Sequence, residues 1–309
     1  VRAPVEGAPD ELLGVRNDRD VFEFRYRATV PEVRGPARMW LPLARSDAFQ
    51  RVEVRSIEVP GRRRVIEDPI HGNRVLHVEL DPADAGKPLE VVYRVERVEV
   101  GAYEGDPEEA RRRHLASGLE APEAERFRTI AARTVAGLEG DLMRARALYD
   151  HVIDSMAYRR CGEGWGQGDA VRACSVRAGN CTDFHAYFIA LARAAGIPAR
   201  FAIGAALPSE RDEGGVDGYH CWAEFYAEGR WWPVDISEAN KFTALSMYYF
   251  GHHPANRFEF SRGRDLVLDP GPASGPINFL AYPVVEEDGL TRTAKVDFRF
   301  TRLPSVPGP

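Results

Sequence analysis

Cys181, His220 and Asp235 are the residues whose types and spacing could do covalent chemistry in this chain. Cys181 opens the stretch CTDFHAYFIALARAA, residues 181–195. There Phe184, Phe188, Leu191 and Ala195 recur on one helical face, and Gly196 and Pro198 supply a stop. A cysteine at a helix start has two advantages. Free backbone amides and the positive end of the dipole stabilise a thiolate, and the same amides can hold a developing oxyanion. Gly179 is expected to let a substrate backbone approach. A thiolate nucleophile further needs a base within hydrogen-bond reach and a group that orients the base.

The stretch 219–235 can supply both. YHCWAEFYA and RWWPVD read as two strands around the tight turn Glu228-Gly229. His220, Trp222, Glu224 and Tyr226 then share one face. A two-residue loop pairs Tyr226 with Trp231 and, counting inward, Trp222 with Asp235. That places Asp235 diagonal to His220 on the same face, with Cα atoms about 7–8 Å apart. A one-residue slip would put the two on opposite faces. Cys221 alternates with His220 and is expected to face away from the site, into the core. Trp222, Trp231 and Trp232 are expected to pack the hairpin, with one of them available to wall a cleft.

Other residues near this set carry two readings each. His185, one turn after Cys181, is either a hydrogen-bonded structural histidine or a group that tunes the thiol or touches substrate. Asp183 favours a helix N-terminus by charge. Cys161 and Cys174 flank a glycine-rich loop within residues 157–180 and are either bridged across it or reduced. Cys181, His185, His220 and Asp235 include zinc-ligand types, but there is no CxxC or HExxH, so no metal is expected. No GxGxxG stands in a strand–turn–helix context, and no cofactor is expected.

These residues need a scaffold. Residues 21–100 read as short strands broken by Pro, Gly and Asp, a spacing that suggests an antiparallel sandwich; in VFEFRYRATV, Phe22, Phe24, Tyr26 and Ala28 alternate with Glu23, Arg25 and Arg27. His71 and His77 are expected at the surface or in turns. Residues 107–156 read as helices, with Pro107 and Pro122 at first-turn positions and Arg111 to Arg113 on a solvated face. Residues 199–207 read as a buried strand. The terminal AKVDFRFTRL alternates as a strand that could join the last sheet of the core domain or lie against the N-terminal sandwich.

At 309 residues, two domains are expected. Net charge is −6, which argues against a general electrostatic grip on nucleic acid. No run of 18 apolar residues predicts a membrane span, and four cysteines do not make a disulfide scaffold. Only Lys87, Lys241 and Lys295 are lysines among 41 basic residues, which fits genomic base composition. The chain opens on Val1 rather than Met, which either an artificial start point or a removed export signal would explain, and a periplasmic or secreted location is slightly favoured over a cytoplasmic one.

RAGNCTDFHAYFIALARAAGIPARFAIG and GYHCWAEFYAEGRWWPVD together resemble the transglutaminase-like superfamily with its papain-like fold. The matching features are Gly179-x-Cys181, Gly196-Ile197-Pro198-Ala199-Arg200, His220-x-Trp222, and Gly229-Arg230-Trp231 leading to Asp235. The resemblance implies an α+β fold: a helical part plus an antiparallel sheet, preceded by a β-sandwich. It divides the chain into a loose segment 1–20, a β-sandwich 21–100, and a catalytic domain 101–309 carrying the C-terminal strand. It implies Cys181 as nucleophile, His220 as general base and acid, and Asp235 as the orienting carboxylate. For the second oxyanion donor it offers Gln167, Trp165 and Tyr158, with Gln167 preferred because an amide donates without constraint on ring placement. Trp222 and His185 remain substrate-side candidates. The implied activity is thiol acyl transfer on peptide or glutamine-type carboxamides, hydrolysis being preferred over cross-linking. The implied partner is a peptide or protein substrate. A catalytically silent scaffold is the alternative.

Overall fold

The computed structural model describes residues 14–116, 118–120 and 122–304. Most of the expected loose segment 1–20 lies outside the described residues. The described chain forms two compact units. One comprises residues 14–99, 203–219 and 254–304; the other comprises residues 100–202 and 220–253.

The first unit is built from antiparallel strands: β1 (Arg19–Thr29), β2 (Ala37–Pro42), β3 (Gln50–Glu58), β4 (Arg62–Glu67), β5 (Arg74–Leu80) and β6 (Pro88–Val98). The second unit carries β7 (Tyr103–Glu104), β8 (Ala157–Tyr158) and β9 (Ala178–Gly179). It also holds the start of β10 (Ala199–Ala206), the chain crossing between units at Ala202. The first unit adds β11 (Glu213–Val216), and the second adds β12 (His220–Ala227) and β13 (Arg230–Val234). The chain then returns to the first unit for β14 (Arg257–Arg262), β15 (Val284–Glu287), β16 (Leu290–Thr293) and β17 (Lys295–Arg302).

Two five-stranded sheets organise the first unit, in the orders β11-β17-β1-β6-β3 and β16-β15-β2-β5-β4. Alternation in β1 does what its pattern demands. Phe22, Phe24 and Tyr26 are buried and meet Phe258, Phe260 and Phe298, edge-on or tilted, at centroid distances from 4.8 to 6.0 Å, and Tyr93 meets Phe258 edge-on at 5.3 Å. Glu23, Arg25 and Arg27 turn outward, and Arg25 pairs with Glu23 and Glu90. In the other sheet Trp40 and Val75 pack with Leu266, Leu268, Ile277, Leu280 and Val284. His77 is buried with its ring 5.5 Å from that of Trp40, not at the surface as expected, because its register on β5 sets it opposite Trp40. β17 pairs with β1, the second of the two placements its alternation leaves open. Period-2 alternation marks a strand but is blind to its partner.

The second unit contains α1 (Pro107–His114), α2 (Glu123–Thr134), α3 (Asp141–Ser155), α4 (Ala170–Val176), α5 (Cys181–Ala194) and α6 (Ile236–Lys241). Its strands run in the order β10-β12-β13-β7. Asp106 caps α1 by accepting from the amides of Glu108 and Glu109, with Pro107 at the first position, and Arg111 to Arg113 are exposed. α5 is buried from Cys181 through Ala192. It packs on β12 through Phe188 and Phe225, 6.1 Å apart, and on α2 through Tyr187 and Phe127, 5.8 Å apart. The hairpin has the expected register: Tyr226 pairs with Trp231 and Ala223 with Val234. Its loop is Glu228-Gly229, both with positive φ (53° and 78°), the conformation a two-residue hairpin turn requires. Among the described residues, no helix is long and apolar enough to cross a membrane.

Candidate active site

Cys181 is the first residue of α5, 2% exposed. Asn180 precedes it as the cap, and its Oδ1 takes the amide of Thr182 at 3.0 Å and that of Asp183 at 3.5 Å. The cap therefore does not use the Cys181 amide. His220 begins β12, near enough to the Cys181 thiol for each group to shift the other's pKa. His220 Nε2 lies 2.6 Å from Asp235 Oδ2. The structure thus brings together the three residues that the sequence points to.

Asp235 combines two readings that the sequence sets against each other. It is fully buried at the end of β13 and caps α6. Its Oδ1 accepts from Ser237 Oγ at 3.0 Å and from the Glu238 amide at 3.1 Å, while Oδ2 faces His220. One oxygen holds the backbone and the other holds the imidazole.

The charges of the pair are interlocked. Burial alone would lower the His220 pKa, but the charge and hydrogen bond of Asp235, joined by Cys181, outweigh it and lift it to about 9. The Cys181 thiol is held well below its usual range. The neighbouring Cys221 thiol is the largest influence, and His220 adds to it against the opposing effect of burial. A thiolate beside an imidazolium is the favoured state of the pair.

Cys221 corrects the sequence reading. It was expected to face away from the site. Its face does point into the core, but α5 covers that face, as the Phe225–Phe188 contact along the same strand shows. The first turn of α5 therefore meets Cys221. Cys221 Sγ is 3.7 Å from Thr182 Oγ1 and 3.7 Å from His185 Nδ1.

His185 is fully buried, which excludes substrate contact. Its Nδ1 donates to the Cys181 carbonyl at 2.7 Å, and its Nε2 accepts from the Ile236 amide at 3.1 Å. It ties the start of α5 to the start of α6, and burial lowers its pKa, so it stands neutral. Trp222 is likewise no cleft wall. It is 1% exposed and packs its ring 4.2 Å from that of His253.

Asp183 and Gly179 also differ from expectation. The Asp183 carboxylate, fully buried, accepts from the amides of Gly166 at 2.8 Å, Gly168 at 3.2 Å and Asn180 at 3.0 Å. It pins the glycine-rich loop to the first turn of α5, far more than a dipole interaction. Gly179 makes room for it, since a Cβ there would fall 2.3 Å from Asp183 Oδ2. The protein's own carboxylate is by itself enough to demand glycine there.

Cys161 and Cys174 stand as free thiols, so the bridge is not formed. Cys161 is exposed, whereas Cys174 is buried on α4. Arg172 spans the loop in place of a disulfide, donating to the carbonyls of Glu163 at 2.6 Å and Cys161 at 2.9 Å.

The three upstream oxyanion candidates are placed differently. Gln167 is exposed at the crest of the loop, between the two glycine amides that Asp183 holds. Trp165 is 39% exposed two residues before it. Tyr158 is half-buried on β8, paired with Gly179 on β9, two residues before the thiol. Burial and then the nearby Cys181 charge raise its pKa, and Lys241 Nζ sits 4.0 Å from its ring centre.

Residues 128–236 match the model of the transglutaminase-like superfamily, which spans the first turn of α5, the hairpin and Asp235. Most of the matched stretch lies in the second unit, with residues 203–219 in the first. A curated protein from Haemophilus influenzae, named only as uncharacterized, is 33% identical over 181 residues. That match covers 48% of this chain, and the chain spans about half (49%) of the relative's length. The fold is also similar to that of a candidate cysteine protease from Cytophaga hutchinsonii, with a TM-score of 0.59 at 16% identity over 95% of this chain and 94% of the other. The periplasmic domain of TgpA from Pseudomonas aeruginosa, bound to ethylmercury, aligns with a TM-score of 0.39 at 17% identity over 74% of this chain and 93% of that one.

Proposed function

We propose that the protein is a thiol acyl-transfer enzyme of the transglutaminase-like class, acting on peptide or glutamine-type carboxamides through Cys181, His220 and Asp235. The observation that carries this reading is the line Cys181–His220–Asp235 at the start of a buried helix, with the imidazole held 2.6 Å from Asp235. The Cys181 thiolate attacks the carbonyl carbon, forming the S–C bond and pushing the carbonyl pair onto oxygen. The Cys181 amide, which the helix cap does not use, is suited to that oxyanion. Gln167, Trp165 and Tyr158 are the candidate side-chain donors to join it, with Gln167 preferred. Protonated His220 then gives its proton to the departing amine or ammonia as the C–N bond breaks. Water or an amine resolves the thioester.

Hydrolysis is preferred over amine transfer, in keeping with the description of the Cytophaga protein as a candidate protease. A library of peptides and glutamine donors, with and without an added primary amine, distinguishes the two outcomes. Cys181→Ala should abolish both turnover and labelling by peptidyl electrophiles near neutral pH, a loss of about 10⁴-fold or more. A variant that labels and turns over like the parent would remove the nucleophile assignment.

A further inference from the structure

His185 is a fully buried imidazole that takes no part in the proposed acyl transfer. Its Nδ1 donates to the Cys181 carbonyl at 2.7 Å, and its Nε2 accepts from the Ile236 amide at 3.1 Å. The first group belongs to the peptide that leaves Cys181, the second to the peptide that leaves Asp235. Building on the reading of Cys181, His220 and Asp235 as the reacting set, we propose that His185 is a positioning residue: its ring bridges these two peptides and fixes the spacing between nucleophile and orienting carboxylate across which His220 works.

The partners leave one assignment of the ring proton. A carbonyl only accepts and an amide N–H only donates, so Nδ1 carries the hydrogen and Nε2 the lone pair. The cap of α6 cannot take over the Ile236 amide, because Asp235 Oδ1 already accepts from Ser237 Oγ at 3.0 Å and from the Glu238 amide at 3.1 Å. Among titratable groups, Asp235 Oδ1 faces the ring 3.7 Å from Nε2, and Cys221 Sγ on β12 faces it 3.7 Å from Nδ1. Cys181 and His220 act on its charge from the site itself. A second proton, on Nε2, would oppose the Ile236 N–H and draw the ring toward Asp235 Oδ1, so only the neutral ring makes the bridge. The link bears on chemistry through Asp235. That carboxylate holds the backbone with Oδ1 and His220 with Oδ2 at 2.6 Å, so a shift of its peptide reaches the imidazole directly.

The test reads the imidazoles themselves, by long-range ¹H–¹⁵N NMR correlation in the full chain labelled with ¹⁵N-histidine. It compares the wild type with His185→Ala, His185→Gln and His185→Asn, with circular dichroism to verify folding and melting temperature. In the wild type His185 should be the neutral Nδ1–H tautomer from about pH 6 to pH 8. An Nε2–H tautomer or a charged ring overturns the proposal without any variant. In His185→Ala the His220 titration, near pH 9 in the parent, should fall by about one unit as its hold on Asp235 loosens. Glutamine extends an acceptor about as far as Nε2 and should restore most of the shift; asparagine reaches only as far as Nδ1 and should not. A merely structural histidine would lower the melting temperature and leave the His220 titration in place. That result, or asparagine matching glutamine, overturns the proposal. Iodoacetamide alkylation of Cys181, read by peptide mass mapping, separates the failures. An ordinary thiol midpoint in the wild type removes the nucleophile reading, whereas a depressed midpoint with an unmoved His220 in His185→Ala removes only the present proposal.

Discussion

The aromatic centre of the first unit and the first turn of α5 in the second are both closed to water, yet they are built from opposite materials. Around β1, Phe22, Phe24, Tyr26, Tyr93, Phe258, Phe260 and Phe298 fill the interior with rings. Around Cys181, the buried residues are Asn180, Thr182, Asp183, His185, His220, Cys221 and Asp235. Rings are stabilised by area removed from water and by edge-to-face contacts, and they tolerate volume-conserving change. A polar cluster is stable only while its members satisfy one another, because each orphaned group costs the full desolvation penalty. The first region should therefore respond to mutation in stability, and the second in chemistry.

Asp235→Asn should produce the largest effect of three that test this contrast. Asparagine keeps an oxygen for Ser237 Oγ and the Glu238 amide, so the cap of α6 survives. The charge that holds His220 protonated is lost. Turnover should fall by about 10³-fold with little change in melting temperature. The pH profile gives the sign. If the proposed mechanism holds, activity in the parent requires the thiolate and the imidazolium together. It is lost at acid pH as Cys181 takes a proton, and lost at alkaline pH as His220 releases its proton near pH 9. Without Asp235, burial of His220 is unopposed and the alkaline limb should move to lower pH. A limb that stays in place would show that Asp235 does not set the imidazole.

Asp183→Asn should come next, lowering turnover by roughly 10- to 100-fold through misplacement of the loop that carries Gln167. Its signature is increased proteolytic cleavage within residues 160–169, with Cys181 labelling retained. Loss of labelling together with turnover would place Asp183 in the chemistry itself. Phe24→Ala should have the smallest effect on turnover and a large one on stability. Removal of a fully buried ring costs about 3–5 kcal/mol in chemical unfolding, with unchanged kcat at temperatures where the variant stays folded. A fall in kcat without loss of stability would erase the distinction between the two regions.

Much of the site is legible locally. Alternation along YHCWAEFYA and a two-residue turn set the pairing of Tyr226 with Trp231, and that pairing leads to Asp235. Gly196 and Pro198 end the helix that Cys181 begins. The misreadings share one cause. Cys221, Asp183 and Gly179 were judged by their own element, and each is decided by a neighbour from elsewhere in the chain. A strand's period says that Cys221 and His220 point apart, but not that a helix start covers the Cys221 face. The dipole argument gives Asp183 a reason to sit at N3, but not the glycine amides that reach it from fifteen and seventeen residues upstream. The cysteine pair flanking the loop leaves a bridge and free thiols equally open, and Arg172 performs the tie that a bridge would make.

The sequence by itself determined the order and local register of Cys181, His220 and Asp235, because helix caps, turn residues and periods of 2 and 3.6 act over a few neighbouring residues. Only the tertiary structure decided which groups close around the thiol, that His185 joins two helix starts, and that β17 returns to β1. Those contacts join residues far apart in the chain. They arise from which faces pack together, a choice that hydrophobic burial drives without direction and that local pattern does not record.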